Sequence, residues 1–71
     1  MLIKIVYEVF DEANIFTGEK GSIIVNTDDK DKARKTFEAY VLSQGKNWQM
    51  VDIVGLVAPV KQGDTVIEPI K

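Results

Sequence analysis

The side chains that most often do chemistry in enzymes are scarce in this sequence. It contains no cysteine and no histidine, which removes the thiolate nucleophile and the imidazole base. Ser22 and Ser43 have no evident activating partner, and no GxSxG, GxGxxG or P-loop motif occurs. The remaining Asp, Glu, Lys and Tyr side chains form no convincing cluster. The sequence therefore predicts a protein that is not an enzyme and that uses no cofactor.

The segment TDDKDK, residues 27–32, is the one candidate for a metal site. Carboxylates this close together could bind a hard cation through oxygen ligands. The spacing does not fit a calcium loop, however, because no glycine stands at the required sixth position. Thr27, Asp28 and Asp29 are all good helix N-caps, and acids in a first turn complement the helix dipole. We therefore predict the start of a helix here and no metal site.

Aromatic residues raise the possibility of a nucleic-acid binder, which would combine stacking rings on a sheet with a positive groove. The candidate rings are Tyr7, Phe10, Phe16 and Trp48. The lysines near them are offset by acids, and the sequence pI is about 4.9. Core or interface packing is the simpler interpretation of these rings. Nucleic acid is thus an improbable partner, although a single-stranded nucleic-acid binder stays the alternative function.

Length and composition limit the architecture. Seventy-one residues make a single domain, 1–71, near the lower size limit for one hydrophobic core. Neither disulfides nor a cysteine–histidine zinc site can stabilise it, so stability must come from packing, self-association or a partner. The sequence has neither a signal-peptide pattern nor a membrane-length apolar run, which predicts a cytoplasmic protein without membrane contact.

Alternating apolar residues predict strands at 2–10, 22–25, 48–60 and 65–70, with a long hairpin connection between the first two that includes a charged turn at 17–21. Ala33, Phe37, Tyr40, Val41 and Gln44 share one stripe of a helix that Gly45 terminates. The order ββαββ predicts an α+β fold. We expect a fully antiparallel four-stranded sheet of order 2-1-3-4 with the helix on one face, and Pro69 confines the last strand to an edge.

One helix covers only one face of such a sheet. The uncharged alternating set is assigned to the helix side: Ile3, Ile5, Tyr7, Val9, Val51, Ile53 and Val57. The opposite face then carries Leu2 and six further apolar residues, with Lys4, Glu8 and Asp52 among them. An open antiparallel face normally alternates to polar residues, and large apolar patches mark interfaces. We therefore predict a partner or homodimer interface formed by Val6, Phe10, Trp48, Met50, Val54 and Leu56. The alternative is that the segment 11–21 or the C-terminal tail folds over this face.

The predicted function is a small protein-binding module, an inhibitor or adaptor that self-associates. In size and composition, but in no motif, the chain resembles phage-encoded or mobile-element inhibitors, including anti-defence proteins. Residues 1–31 carry seven acids and three bases, for a net charge of −4. An acidic patch of this kind could imitate a phosphate backbone, although a charge run is more often a solvated surface.

Overall fold

The computed structural model of the protein describes residues 2–56 and 58–70. Strands β1 (Leu2–Phe10) and β2 (Phe16–Val25) precede helix α1 (Lys30–Gln44), which is followed by β3 (Trp48–Leu56) and the short β4 (Val66–Ile67). The general α+β class is thus confirmed. The segment 17–21, expected to be a turn, instead belongs to β2, whose pairing with β1 becomes irregular beyond Glu8.

The predicted sheet is wrong in its order and in the direction of its last strand. The observed order is β3-β1-β2-β4, with β4 parallel to β2, so the sheet is mixed and not the antiparallel 2-1-3-4. The backbone N–H of Ile24 donates to Thr65 O (2.8 Å), and that of Asn26 donates to Ile67 O (3.0 Å). Residues after β3 do form a turn, in which Lys61 N–H donates to Asp64 Oδ2 (2.8 Å). That turn belongs to a crossover to the far edge and not to a hairpin.

Packing on the helix explains why β4 joins β2. At this edge Ile67 packs against the core, and the N–H of Ile70 donates to the hydroxyl of the buried Thr36 (3.1 Å). A β4 beside β3 would leave the outer backbone groups of β2 without these partners, although Ile24 and Val25 are buried. The hydrogen bonds that β4 makes to the buried backbone of β2 therefore favour this position over the shorter connection of a β3–β4 hairpin.

Helix α1 begins and ends as its sequence signals predict. The Asp29 carboxylate accepts hydrogen bonds from the N–H groups of Asp31 (3.0 Å) and Lys32 (3.2 Å), which caps the first turn. Gly45 ends the helix in the left-handed conformation, with φ at 66°. Buried residues of the helix are Ala33, Thr36, Phe37 and Val41. Of these, Ala33, Phe37 and Val41 form one core cluster with Ile3, Ile5, Ile23 and Val25 of the sheet.

A β-bulge in β3 overturns part of the predicted division between the two faces. Val6 pairs with Asp52 but Tyr7 pairs with Met50, so Val51 is an extra residue. Directly paired residues share a face, and Tyr7 lies on the helix side. Trp48 and Met50 therefore lie on the helix side as well, and their assignment to the opposite face was wrong. Val51 lies at the bulge and is 56% exposed, and Val57 lies outside the described residues.

The sheet face away from the helix is less apolar than predicted. Glu8 pairs with Gln49 and with Lys20, whose Nζ lies 3.8 Å from Glu8 Oε2, and Val6 pairs with Asp52 and Ser22. This polar band interrupts the apolar surface beyond Leu2, Val54 and Leu56. Ile24 also faces away from the helix but is only 3% exposed. Because β3 and β4 run parallel, a right-handed connection between them is expected to cross this face.

Candidate functional site

Trp48 stands at the centre of an aromatic cluster between the helix and the sheet. Its ring stacks on that of Tyr7, with centroids 4.3 Å apart and planes at 7°. Tyr40 lies on α1 with its centroid 6.4 Å from Trp48, and Phe37 lies 5.9 Å from Tyr7. Such pairs add stabilisation beyond the apolar area that they bury. The first residue of β3 is thereby fixed against the first strand and the helix together.

Gly21 makes room for this cluster. It is the direct cross-strand partner of Tyr7, and the Tyr7 ring extends over its backbone. A Cβ atom at this position would overlap the Tyr7 hydroxyl oxygen and would lie 2.6 Å from Tyr7 Cζ. An aromatic ring that covers a strand glycine compensates for the missing side chain. The pair Tyr7–Gly21 therefore determines where the stacked rings lie on the sheet.

The hydroxyl of Tyr7 offers a test of this environment. Burial raises the pKa of Tyr7 above its ordinary value of 10.0, with smaller contributions from Tyr40 and Glu19. A raised pKa in the folded state favours the neutral phenol, so its contribution to stability is complete below pH 10 and is lost as the pH rises through the folded value. We expect the free energy of unfolding to fall above pH 10, and to fall less in Tyr7→Phe. Urea unfolding at several alkaline pH values measures this difference, and identical pH profiles of the two proteins would contradict it.

Asn47 ties the β1–β2 turn to the start of β3. Its side-chain amide donates to Asp11 O (2.9 Å) and to Asn14 Oδ1 (2.8 Å). Its backbone carbonyl accepts a hydrogen bond from the N–H of Phe10 (2.9 Å). The Asp11 carboxylate in turn accepts from the N–H groups of Ala13 and Ile15, both at 2.9 Å. These bonds hold Phe10 and Trp48 at neighbouring positions of one surface.

Two grooves meet at Trp48. The larger, here called the hairpin groove, has a volume of about 490 Å³. Tyr7, Val9, Phe10 and Trp48 supply its apolar lining, and the charged residues around it are Asp11, Glu12, Glu19, Lys20 and Lys46. The second, here called the helix groove, lies between α1 and β3 and has a volume of about 310 Å³. Its lining residues are Phe37, Glu38, Val41, Leu42, Lys46, Trp48, Gln49 and Met50.

The six predicted interface residues are divided by this arrangement. Phe10 and Trp48 share the hairpin groove, and Trp48 and Met50 share the helix groove. Val6, Val54 and Leu56 lie on the sheet face away from the helix and join neither groove. Leu42, which is 83% exposed, was not among the predicted residues. Its signal in the sequence was an apolar residue off the buried stripe of the helix.

Two hydroxyl groups elsewhere on the described surface donate hydrogen bonds to nearby backbone carbonyls. The hydroxyl of Ser43 donates to Tyr40 O (2.8 Å), and that of Thr17 donates to Val9 O (2.9 Å). Across residues 2–56 and 58–70, no group of three or more Asp or Glu residues is arranged to hold a metal ion. The arrangement around Trp48 can bind by shape, apolar contact and charge.

Helix α1, within the part of the chain that the structure describes, is too short and too polar to cross a membrane, and no other helix is found there that could. Comparison of the chain with protein-family models, with curated proteins and with solved structures gives no match.

Proposed function

We propose that the protein is a non-catalytic binding module whose hairpin groove receives a segment of another protein. The observation that carries this proposal is the meeting of Phe10 and Trp48 in one groove, held there by the hydrogen bonds of Asn47. Aromatic residues are enriched in protein interfaces, where a few anchors supply most of the binding energy. An apolar or aromatic side chain of the partner is the natural occupant of this lining.

Charges around the hairpin groove favour a basic partner segment. The groove is bordered by three acids, Asp11, Glu12 and Glu19, and by the two lysines Lys20 and Lys46. Lys20 already lies 3.8 Å from Glu8, so its charge is partly offset. Opposite charges at the rim of an interface accelerate association and discriminate between partners more than they raise affinity. A lysine or arginine beside the apolar anchor would complement this rim.

A single-stranded nucleic acid is the less favoured ligand. Sequence-independent strand binders offer exposed ring faces on which bases stack. One face of Trp48 is already stacked on Tyr7, and Tyr40 lies near the same ring. The acids beside the groove would also repel a phosphate backbone.

Affinity capture from the native host tests the proposal, with nuclease-treated and untreated lysates compared. We expect a protein to be retained after nuclease treatment, and the identified partner to bind the purified chain directly. Phe10→Ala should then weaken binding about thirtyfold, as loss of a central anchor typically does. Glu19→Lys should weaken it about fivefold, because a rim charge contributes less.

The matched control is Asp28→Lys, which makes the same change of charge at an exposed position before the helix and outside the groove. It should leave the affinity within twofold, since distant surface charges are screened. Capture that disappears with nuclease, or a partner indifferent to Phe10→Ala, would overturn the proposal.

A further inference from the structure

Leu42 is the most exposed of the large hydrophobic residues that the structure describes, at 83%, and it borders the helix groove. Apolar Phe37, Val41, Trp48 and Met50 line the same groove, and Met50 is itself 36% exposed. A protruding leucine next to an apolar depression is the simplest self-complementary surface. One copy can place its leucine in the depression of another while receiving the other leucine in its own.

Two opposite charges lie at equal distances along the sequence on either side of Leu42. Glu38 stands four residues before Leu42 and Lys46 stands four residues after it, and both border the helix groove. Lys46 follows the helix, but its backbone N–H donates to Val41 O (3.2 Å), which keeps it against the last turn. Among the described residues, neither side chain takes part in an ion pair within the chain. Both residues are exposed, so each charge is available to pair with an opposite charge on another molecule.

We infer that two copies of this chain associate through their helix grooves, with the α1 helices antiparallel across a two-fold axis beside Leu42. In this arrangement Glu38 of each copy lies opposite Lys46 of the other, so both ion pairs form at once. Opposite charges at equal spacing from Leu42 become complementary when a two-fold axis brings two copies together, which favours a second copy as the occupant. The small side chain of Ala39, one turn before Leu42, lets the two helices approach closely.

This surface is not the one predicted from the sequence. The predicted homodimer stacked the sheet faces away from the helix, where a band of polar residues interrupts the apolar surface. Leu42 borders the helix groove and not the hairpin groove, whereas Lys46 and Trp48 border both. The dimer does not require the function proposed above, and a variant at Leu42 tests it without changing the hairpin groove.

Sedimentation equilibrium from micromolar to near-millimolar concentration tests the inference. The native chain of 8.0 kDa should approach the mass of a dimer as its concentration rises. Leu42→Glu should raise the dissociation constant at least about tenfold, because it places charge in an apolar contact. Ile15→Glu is the matched control, since Ile15 is 63% exposed and lies outside the helix groove, and it should dimerise like the native chain.

The charge pairs give the sharper test. Glu38→Lys and Lys46→Glu should each raise the dissociation constant about fivefold, because each brings like charges together at two symmetric places. The double variant Glu38→Lys/Lys46→Glu should restore native dimerisation. A native chain that stays monomeric, a dimer that survives Leu42→Glu, or a double variant as weak as either single one would overturn the inference. A monomeric Leu42→Glu protein that still binds its partner through the hairpin groove would leave the proposed function intact.

Discussion

Replacing Trp48 with alanine should lower the free energy of unfolding by about 3 kcal/mol, the low end of the range for truncating a large buried aromatic residue. The low end applies because Trp48 is only partly buried. The substitution removes the stack on Tyr7, the contact with Tyr40 and a wall of both grooves. The core of a domain this small supplies only about 3–5 kcal/mol. The variant should therefore retain little of its stability.

Urea unfolding followed by far-UV circular dichroism measures this loss. Phe16→Ala is the matched control, because Phe16 is 42% exposed and its ring meets only Phe10 among the described aromatic pairs. We expect that control to cost less than about 1 kcal/mol, as exposed substitutions usually do. If Trp48→Ala unfolds no more easily than Phe16→Ala, then Trp48 is an interface residue and not part of the fold.

The sequence and the structure assign Trp48 and Met50 to different faces of the sheet. Alternation alone assigns Trp48 and Met50 to the face of Asp52, because side chains of a regular strand alternate strictly. One extra residue at Val51 reverses that assignment for everything before it in β3. A bulge between apolar residues leaves no distinct mark in a single sequence. Its location depends on how the Trp48 ring packs on Tyr7, which is a tertiary contact.

The helix was predictable because its signals are local. Asp29 and Gly45 satisfy the end groups of α1 by themselves, and the stripe of Ala33, Phe37 and Val41 needs no knowledge of the sheet. The position of β4 was not predictable in this way. A turn at 61–64 fits a hairpin and a crossover equally well, and only the backbone of β2 and the contact between Ile70 and Thr36 distinguish them.

The residues of the candidate site were also predictable only in part. Phe10, Trp48 and Met50 were predicted as binding anchors from their residue types and from a sheet-face assignment that is wrong for Trp48 and Met50, and all three border a groove. Leu42 could not be nominated, because an isolated apolar residue on the polar side of a helix is common on protein surfaces. Its significance comes from the groove beside it and from the charges on either side.

Gly21→Val should destabilise the protein by about 2–3 kcal/mol, within the range for forcing extra atoms into a packed region. The new side chain would overlap Tyr7, whose ring is stacked on Trp48 and lies 5.9 Å from that of Phe37. Gly21 has no positive φ, so backbone strain does not contribute and valine is otherwise favourable in a strand. The cost is therefore a measure of how rigidly the aromatic cluster is held.

A double-mutant cycle with Tyr7→Leu isolates that steric conflict. The smaller side chain no longer reaches over β2, so valine at position 21 should then cost less than about 1 kcal/mol. The two changes together should destabilise the protein less than the sum of the single changes, by about 2 kcal/mol in urea unfolding. Additive effects would mean that the ring can move aside and that Gly21 does not fix it. In that case Trp48 would lack its firm support, and the hairpin groove would be a surface that adapts to its partner instead of one formed in advance.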